Sequence, residues 1–227
     1  MKLSKDTLSV LKNFASINDG IMFRKGSVLR TCDAQKQVLA ETTITETIDE
    51  DFGIYDLNKF LAALSLHPED SQLRLDMSTN CAIISDSSGR KTSNYIICDA
   101  VMIKNASDKS VKMPDSEVKF TLTQEDLEFS LRASSVLVTP HIAIKSDGNK
   151  IFLSAFDDKN KSTHSNHLEV ADGNGKKYKM LFRTENMKMI PDSYEVSISF
   201  KGIAHFKSTT KPLQYWIATE LGSTSEG

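Results

Sequence analysis

The chain is poor in cysteine, has no long apolar run and carries almost no excess charge, and each shortage removes a class of protein. Its three cysteines, Cys32, Cys81 and Cys98, are odd in number, widely spaced and set in apolar strand-like contexts. That fits buried thiols in a reducing compartment better than a disulfide framework. No apolar run approaches the ~20 residues of a membrane span, and the start, MKLSKDT, lacks the apolar core of a signal peptide. A soluble, intracellular protein with no membrane partner is expected. Lys and Arg number 28 against 30 Asp and Glu, split 13 to 15 over residues 1–110 and 15 to 15 over 111–227, so neither half is a polycation. Nucleic-acid binding would have to come from local placement of charge.

Catalytic machinery is equally sparse. His164 and His167 form an H-x-x-H, but no Glu or Cys follows at ligand spacing, and a solvated loop is the plainer account. Gly173 and Gly175 in DGNGKK precede a strand-like run, KYKMLF, where a phosphate-cradling loop would precede a helix. The acidic run Asp49-Glu50-Asp51 reads as an exposed loop before a strand. No catalytic residue, metal site or cofactor is therefore expected, and the chain is not expected to be an enzyme.

What the chain does have is a repeat. Residues 3–17, LSKDTLSVLKNFASI, return in disguise at 122–136 as LTQEDLEFSLRASSV. At about 3.6 residues per turn, the first copy gathers Leu8, Val10, Leu11, Phe14 and Ala15 on one arc, with Lys5, Ser9, Lys12 and Ser16 on the opposite stripe. Ser4 and Thr123 stand where an N-cap hydroxyl belongs. A second helix is expected over Ile54 to Leu66, capped by Asp56, with Phe60, Leu61 and Leu64 buried and Pro68 beyond it. A shorter counterpart is expected near Glu185 to Met189, stopped by Pro191.

Strand signals fill the intervals: a meander after the first helix, then QLRLDM, CAIIS and NYIIC; in the second half, a hairpin around Asp147-Gly148-Asn149, then HLEVADG, KYKMLFR, YEVSISF, IAHFK and QYWIATE. The order repeats along with single positions, Ala82 with Ala204 and Tyr95-Ile96-Ile97 with Tyr215-Trp216-Ile217. The expected fold class is α+β: two similar domains over 1–104 and 118–227, each with two helices packed on antiparallel sheet, joined by a polar linker over 105–117.

The helix faces carry the strongest chemical signal. Lys5 and Lys12 lie about two turns apart with Ser9 and Ser16 between and beyond them, a stripe suited to phosphate contact. A solvated face explains the same residues. The second copy offers only Arg132, flanked by Glu125 and Glu128, while Lys59 and Lys188 add one base to each remaining helix.

Several stretches resemble a known family. MKLSKDT followed by LKNFASIN, then IYDLN-x-FL-x-x-LSL, the ED-L segment with Leu131-Arg132, and NMKM-x-P-x-x-Y at Asn186 to Tyr194 resemble the sliding clamp of T-even-type bacteriophages, the processivity factor of the replicative polymerase. The similarity runs the length of the chain, strongest in the first 66 residues and at 183–196, and fades between about 80 and 120. The resemblance implies the DNA clamp fold, assembled as a homotrimer of six similar domains into a closed ring around double-stranded DNA, with all the helices lining the channel. It implies that Lys5, Lys12, Lys59, Arg132 and Lys188 face the duplex as loose, sequence-blind contacts. Where the family has a second arginine one turn after Arg132, this chain has Ser135. The implied partners are DNA polymerase and the clamp loader, whose tail peptides would enter an apolar pocket at Val111, Met113, Pro114, Trp216 and Ala218, and late-transcription factors. For Trp216, ordinary core is an equal account. The other readings of the chain are a duplicated structural protein that never touches DNA, and an enzyme built on the acidic loop and the histidines.

Overall fold

The computed structural model describes residues 1–67, 71–105, 110–160 and 162–226. The chain divides into two compact units, Met1–Ser110 and Val111–Gly227.

In the first unit, α1 (Lys5–Ile17) is followed by β1 (Ile21–Phe23), β2 (Gly26–Cys32), β3 (Val38–Ile48) and β4 (Phe52–Ile54). Then come α2 (Leu57–Ser65), the meander β5 (Gln72–Asp76), β6 (Cys81–Ser85) and β7 (Thr92–Ile96), and a 3-10 turn at Ala100–Met102. Strands β1 and β4 pair, as do β2 and β3, and β6 is central in its meander; every pairing is antiparallel. The expected periodicity of α1 is met: Val10, Leu11, Phe14 and Ala15 are buried, Lys5, Ser9, Lys12 and Ser16 exposed, and Leu8 half-buried at the border. Ser4 Oγ accepts the Thr7 N–H, and Asp56 accepts the Lys59 N–H at the start of α2. Helix α2 is shorter than expected and buries Leu57, Phe60 and Leu64, leaving Leu61 half-covered. Pro68 lies outside the described residues. Phe23 stacks on Phe52 at 4.5 Å and meets Phe60 edge-on, which in turn meets Tyr95, so one aromatic column joins β1, β4, α2 and β7. Phe23, Phe52 and Phe60 are fully buried, and each contributes roughly 1.5–3 kcal/mol.

The second unit opens with β8 (Val118–Leu122) and α3 (Gln124–Leu137) and continues through β9 (His141–Asp147), β10 (Lys150–Phe156), β11 (Asn166–Asp172) and β12 (Lys177–Arg183). It closes with β13 (Tyr194–Ser199), β14 (Ile203–Ser208), β15 (Leu213–Ala218) and the two-residue β16 (Thr224–Ser225). One sheet has the order β11-β10-β9-β12-β16, and β15-β14-β13-β8 run side by side in another. The duplication is explicit here. Strand β9 pairs with β12 as β1 does with β4, β10 with β11 as β2 does with β3, and β13-β14-β15 repeat the meander β5-β6-β7.

Two details depart from expectation. The helix expected at Glu185 to Met189 is a 3-10 turn, Thr184–Asn186, followed by extended chain, so among the described residues the second unit has one α-helix and the chain three. Only seven residues separate Arg183 from Pro191, too few to repay helix nucleation, and the residue before a proline avoids the α region. Met187 and Met189 are buried with Lys188 exposed between them, a period of two that an α-helix would break. Strand β8 was not expected, although Val118 and Leu122 are buried with Phe120 half-buried between them. The DGNG segment is a turn: Gly173 and Gly175 donate to the carbonyls of Asn149 and Gly148, and a Cβ at Gly173 would collide with the Gly148 carbonyl oxygen.

Candidate nucleic-acid interface

On α1 the basic stripe is fully formed. Lys5 and Lys12 are exposed on the side away from the core, and no carboxylate among the described residues lies within ion-pair reach of either. The helix is fixed at its start by Glu46 on β3, which accepts from the Ser4 N–H and, at 2.7 Å, from the Thr7 hydroxyl. Burial tends to raise the Glu46 pKa, but those hydrogen bonds outweigh it and hold the carboxyl below its ordinary value. The anionic clasp also matches the positive end of the helix dipole. At the other end Asn18 caps the helix and donates through Nδ2 to the carbonyls of Cys32 and Lys104, at 2.7 and 2.8 Å.

Helix α2 packs on α1, and its Lys59 is exposed but engaged. The ammonium sits 2.9 Å from Asp56 Oδ2, which raises the Lys59 pKa and lowers that of Asp56. Lys59 is therefore a weaker cation toward a ligand than Lys5 or Lys12.

On α3 the cap aligns Thr123 with Ser4, but the buried positions Leu127, Ser130 and Ser134 answer Thr7, Val10 and Phe14 one residue further on. The exposed stripe that answers Lys5, Ser9, Lys12 and Ser16 is thus Glu125, Phe129, Arg132 and Val136. Arg132 is exposed with no ion-pair partner among the described residues, Glu128 is occupied by the Gln124 amide, and Ser135 is exposed. Lys188 is exposed on the extended segment after the 3-10 turn, not on a helix. Structure thus assigns three of the five bases to helices bearing outward stripes, with Lys59 paired and Lys188 off-helix.

The pocket residues are dispersed in character. Val111, Met113 and Pro114 are half-buried in extended chain, and Ala218 is half-buried at the end of β15. Trp216 is 4% exposed, stacks on His205 at 4.8 Å and leaves its indole N–H without a partner among the described residues. A cleft of about 600 Å³ in the first unit, between Asn18, Tyr55, Lys59 and Met102, contains none of these five; of its lining residues, the sequence had marked only Lys59 and Asp56, because the rest come from helix ends and turns that carry no periodic pattern. His167 stacks on Phe152 and bonds Ser154 through Nδ1, and Asp51 holds Arg24 and the Lys25 N–H. Among the described residues no group of three His, Cys, Asp or Glu could hold a metal ion.

Comparison with known proteins decides the family. Residues 4–94 match the DNA polymerase processivity factor family, and 119–221 match the C-terminal domain of the gp45 sliding clamp. The chain is 33% identical to the sliding clamp of Escherichia phage RB69 over the full length of both, 33% identical to that of Enterobacteria phage T4 over the full length of both, and 32% identical to that of Vibrio phage KVP40 over 97% of this chain and 99% of the relative. The chain belongs to the sliding clamp family. As a sliding clamp it has the fold expected: it is similar to the proliferating cell nuclear antigens of Thermococcus kodakaraensis (TM-score 0.69, 15% identity, 95% of this chain and 96% of that one) and Entamoeba histolytica (TM-score 0.69, 17% identity, 94% of each). Membership makes it a polymerase processivity factor, and no helix among its described residues is long and apolar enough to cross a membrane.

Proposed function

We propose that three copies of this clamp close head to tail around double-stranded DNA, inside the infected bacterial cell, and tether the replicative polymerase without chemistry of their own. Lys5 and Lys12 of each copy, with Arg132 and more weakly Lys59 and Lys188, face the duplex and hold it through phosphate charge alone. Phosphate contacts carry no sequence information, so such a lining holds the duplex and leaves it free to slide. The tail peptides of polymerase and clamp loader dock at Val111, Met113, Pro114, Trp216 and Ala218, and late-transcription factors use the same ring. A heterologous interface that closes gives a ring, which suits a chain of two similar units.

The observation that carries this reading is the outward stripe of α1, where two lysines stand exposed with no carboxylate among the described residues to neutralise them. The test is retention on nicked circular DNA after loading. Lys5→Glu with Lys12→Glu should shorten retention while the trimer survives. Unchanged retention would remove these lysines from the channel.

A further inference from the structure

In the second unit, Lys145 on β9 is paired directly opposite Lys179 on β12. Like charges in opposed cross-strand positions destabilise a sheet. Lys179 is held by Asp158, Nζ to Oδ1 2.9 Å. Lys145 has no such partner among the described residues: its ammonium lies 3.9 Å from the centroid of the Phe156 ring, half-buried. Burial, and then Lys179, pull the Lys145 pKa below its ordinary value, with Asp158 opposing. Both lysines open onto a cleft of about 310 Å³, where Thr163 and Ser165 add hydroxyls. The remaining carboxylate, Asp157, is turned to its own loop, where Oδ1 accepts the N–H groups of Lys159 and Asn160.

The cleft lining also holds Asp157 and Asp158, but Asp158 is committed to Lys179 and Asp157 to the N–H groups of its own loop, so Lys145 faces the cleft without a carboxylate, and an entering anion would gain a charge-assisted hydrogen bond from it and share the charge of Lys179. We propose that the Lys145–Lys179 cleft binds a small phosphate-type dianion. The two ammonium groups clamp its charge, and the Ser165 hydroxyl supplies a neutral donor, while Thr163 donates its own hydrogen to the Asn160 carbonyl at 2.8 Å. Its volume is at the small end of the ~300–1,000 Å³ range of ligand pockets, which fits a free phosphate or a short phosphomonoester and excludes a polymer threaded through it. None of these residues is among the five bases assigned to the duplex, so the two assignments stand or fall separately.

The test is protection from an amine-reactive reagent, read by mass spectrometry on the full chain. Inorganic phosphate and glycerol 3-phosphate are titrated at constant ionic strength, with chloride as the control. Saturable protection of Lys145 and Lys179, with Lys5 and Lys12 unprotected, is expected, and whichever probe saturates at the lower concentration identifies free phosphate or a phosphomonoester as the ligand. Lys145→Met should raise the half-saturating concentration, read at Lys179, at least tenfold, and without anion it should melt no lower than the parent because the cross-strand repulsion is gone. Lys179→Met, read at Lys145, gives the same test from the other strand. Protection that never saturates, or that falls equally on all exposed lysines, would overturn the proposal, as would Lys145→Met binding like the parent or melting clearly below it.

Discussion

The Tyr95 phenol donates to the main-chain carbonyl of Asp56 at 2.7 Å, tying the last strand of the first meander to the residue that caps α2. In the second meander a tyrosine on the last strand makes a comparable link: the Tyr215 phenol oxygen accepts the N–H of Ile190 at 3.2 Å, although by register Tyr215 faces Phe206 where Tyr95 faces Ala82. A tyrosine of the last strand thus anchors the segment leading into each meander, although that segment is a helix in one unit and extended chain in the other. Tyr95→Phe keeps the edge contact with Phe60 and deletes only the hydrogen bond. It should cost about 1 kcal/mol in denaturant unfolding, with no change in the number of subunits per particle.

Glu46 is the clasp of the basic helix. Its pKa is lowered on folding, so its contribution is fully present above the ordinary carboxyl value of 4.5 and is lost as the pH falls through the lowered one. Glu46→Gln should therefore lower stability at neutral pH by about 1–2 kcal/mol and flatten the acid limb of the stability curve below pH 4.5. Chemical denaturation across the acid range checks both.

Val138 ends α3 in the left-handed region, φ 54°, with 85% of its surface exposed. A β-branched residue is strained there and glycine is not. Val138→Gly gives up almost no buried surface and should raise stability by about 0.5–1 kcal/mol, read as a higher melting temperature. A lower one would mean that the side chain is covered in the assembled particle.

The amphipathic logic of α1 and α3 was readable because helix caps and a period of about 3.6 residues are local properties. Ser4, Thr123 and Asp56 cap where their positions require. The facing stripe of α3 was harder. Matching the caps puts the copies one residue out of phase, and only burial reveals Phe129 and Val136 as the partners of Ser9 and Ser16. Lys188 lies off a helix because Pro191 and the hydrogen bonds of Ile190 to Tyr194 and Tyr215 hold the segment extended. The pairing of Lys59 with Asp56 and of Lys145 with Lys179 depends on rotamers and on strand register, and neither is written in spacing.

The salt dependence of DNA binding should report the lining directly. Each phosphate neutralised contributes a slope of about −0.9 in log K against log salt. Replacing Lys12 by Gln should weaken binding equally on unrelated duplex sequences and make the slope shallower. Replacing Lys59 should do less, since Asp56 already holds that charge.

The most direct test is an image of the purified particle at micromolar concentration. The account predicts a threefold ring of this chain, with six similar lobes and a central hole wide enough to pass duplex DNA. A population of monomers, or a closed particle without a hole, would contradict it.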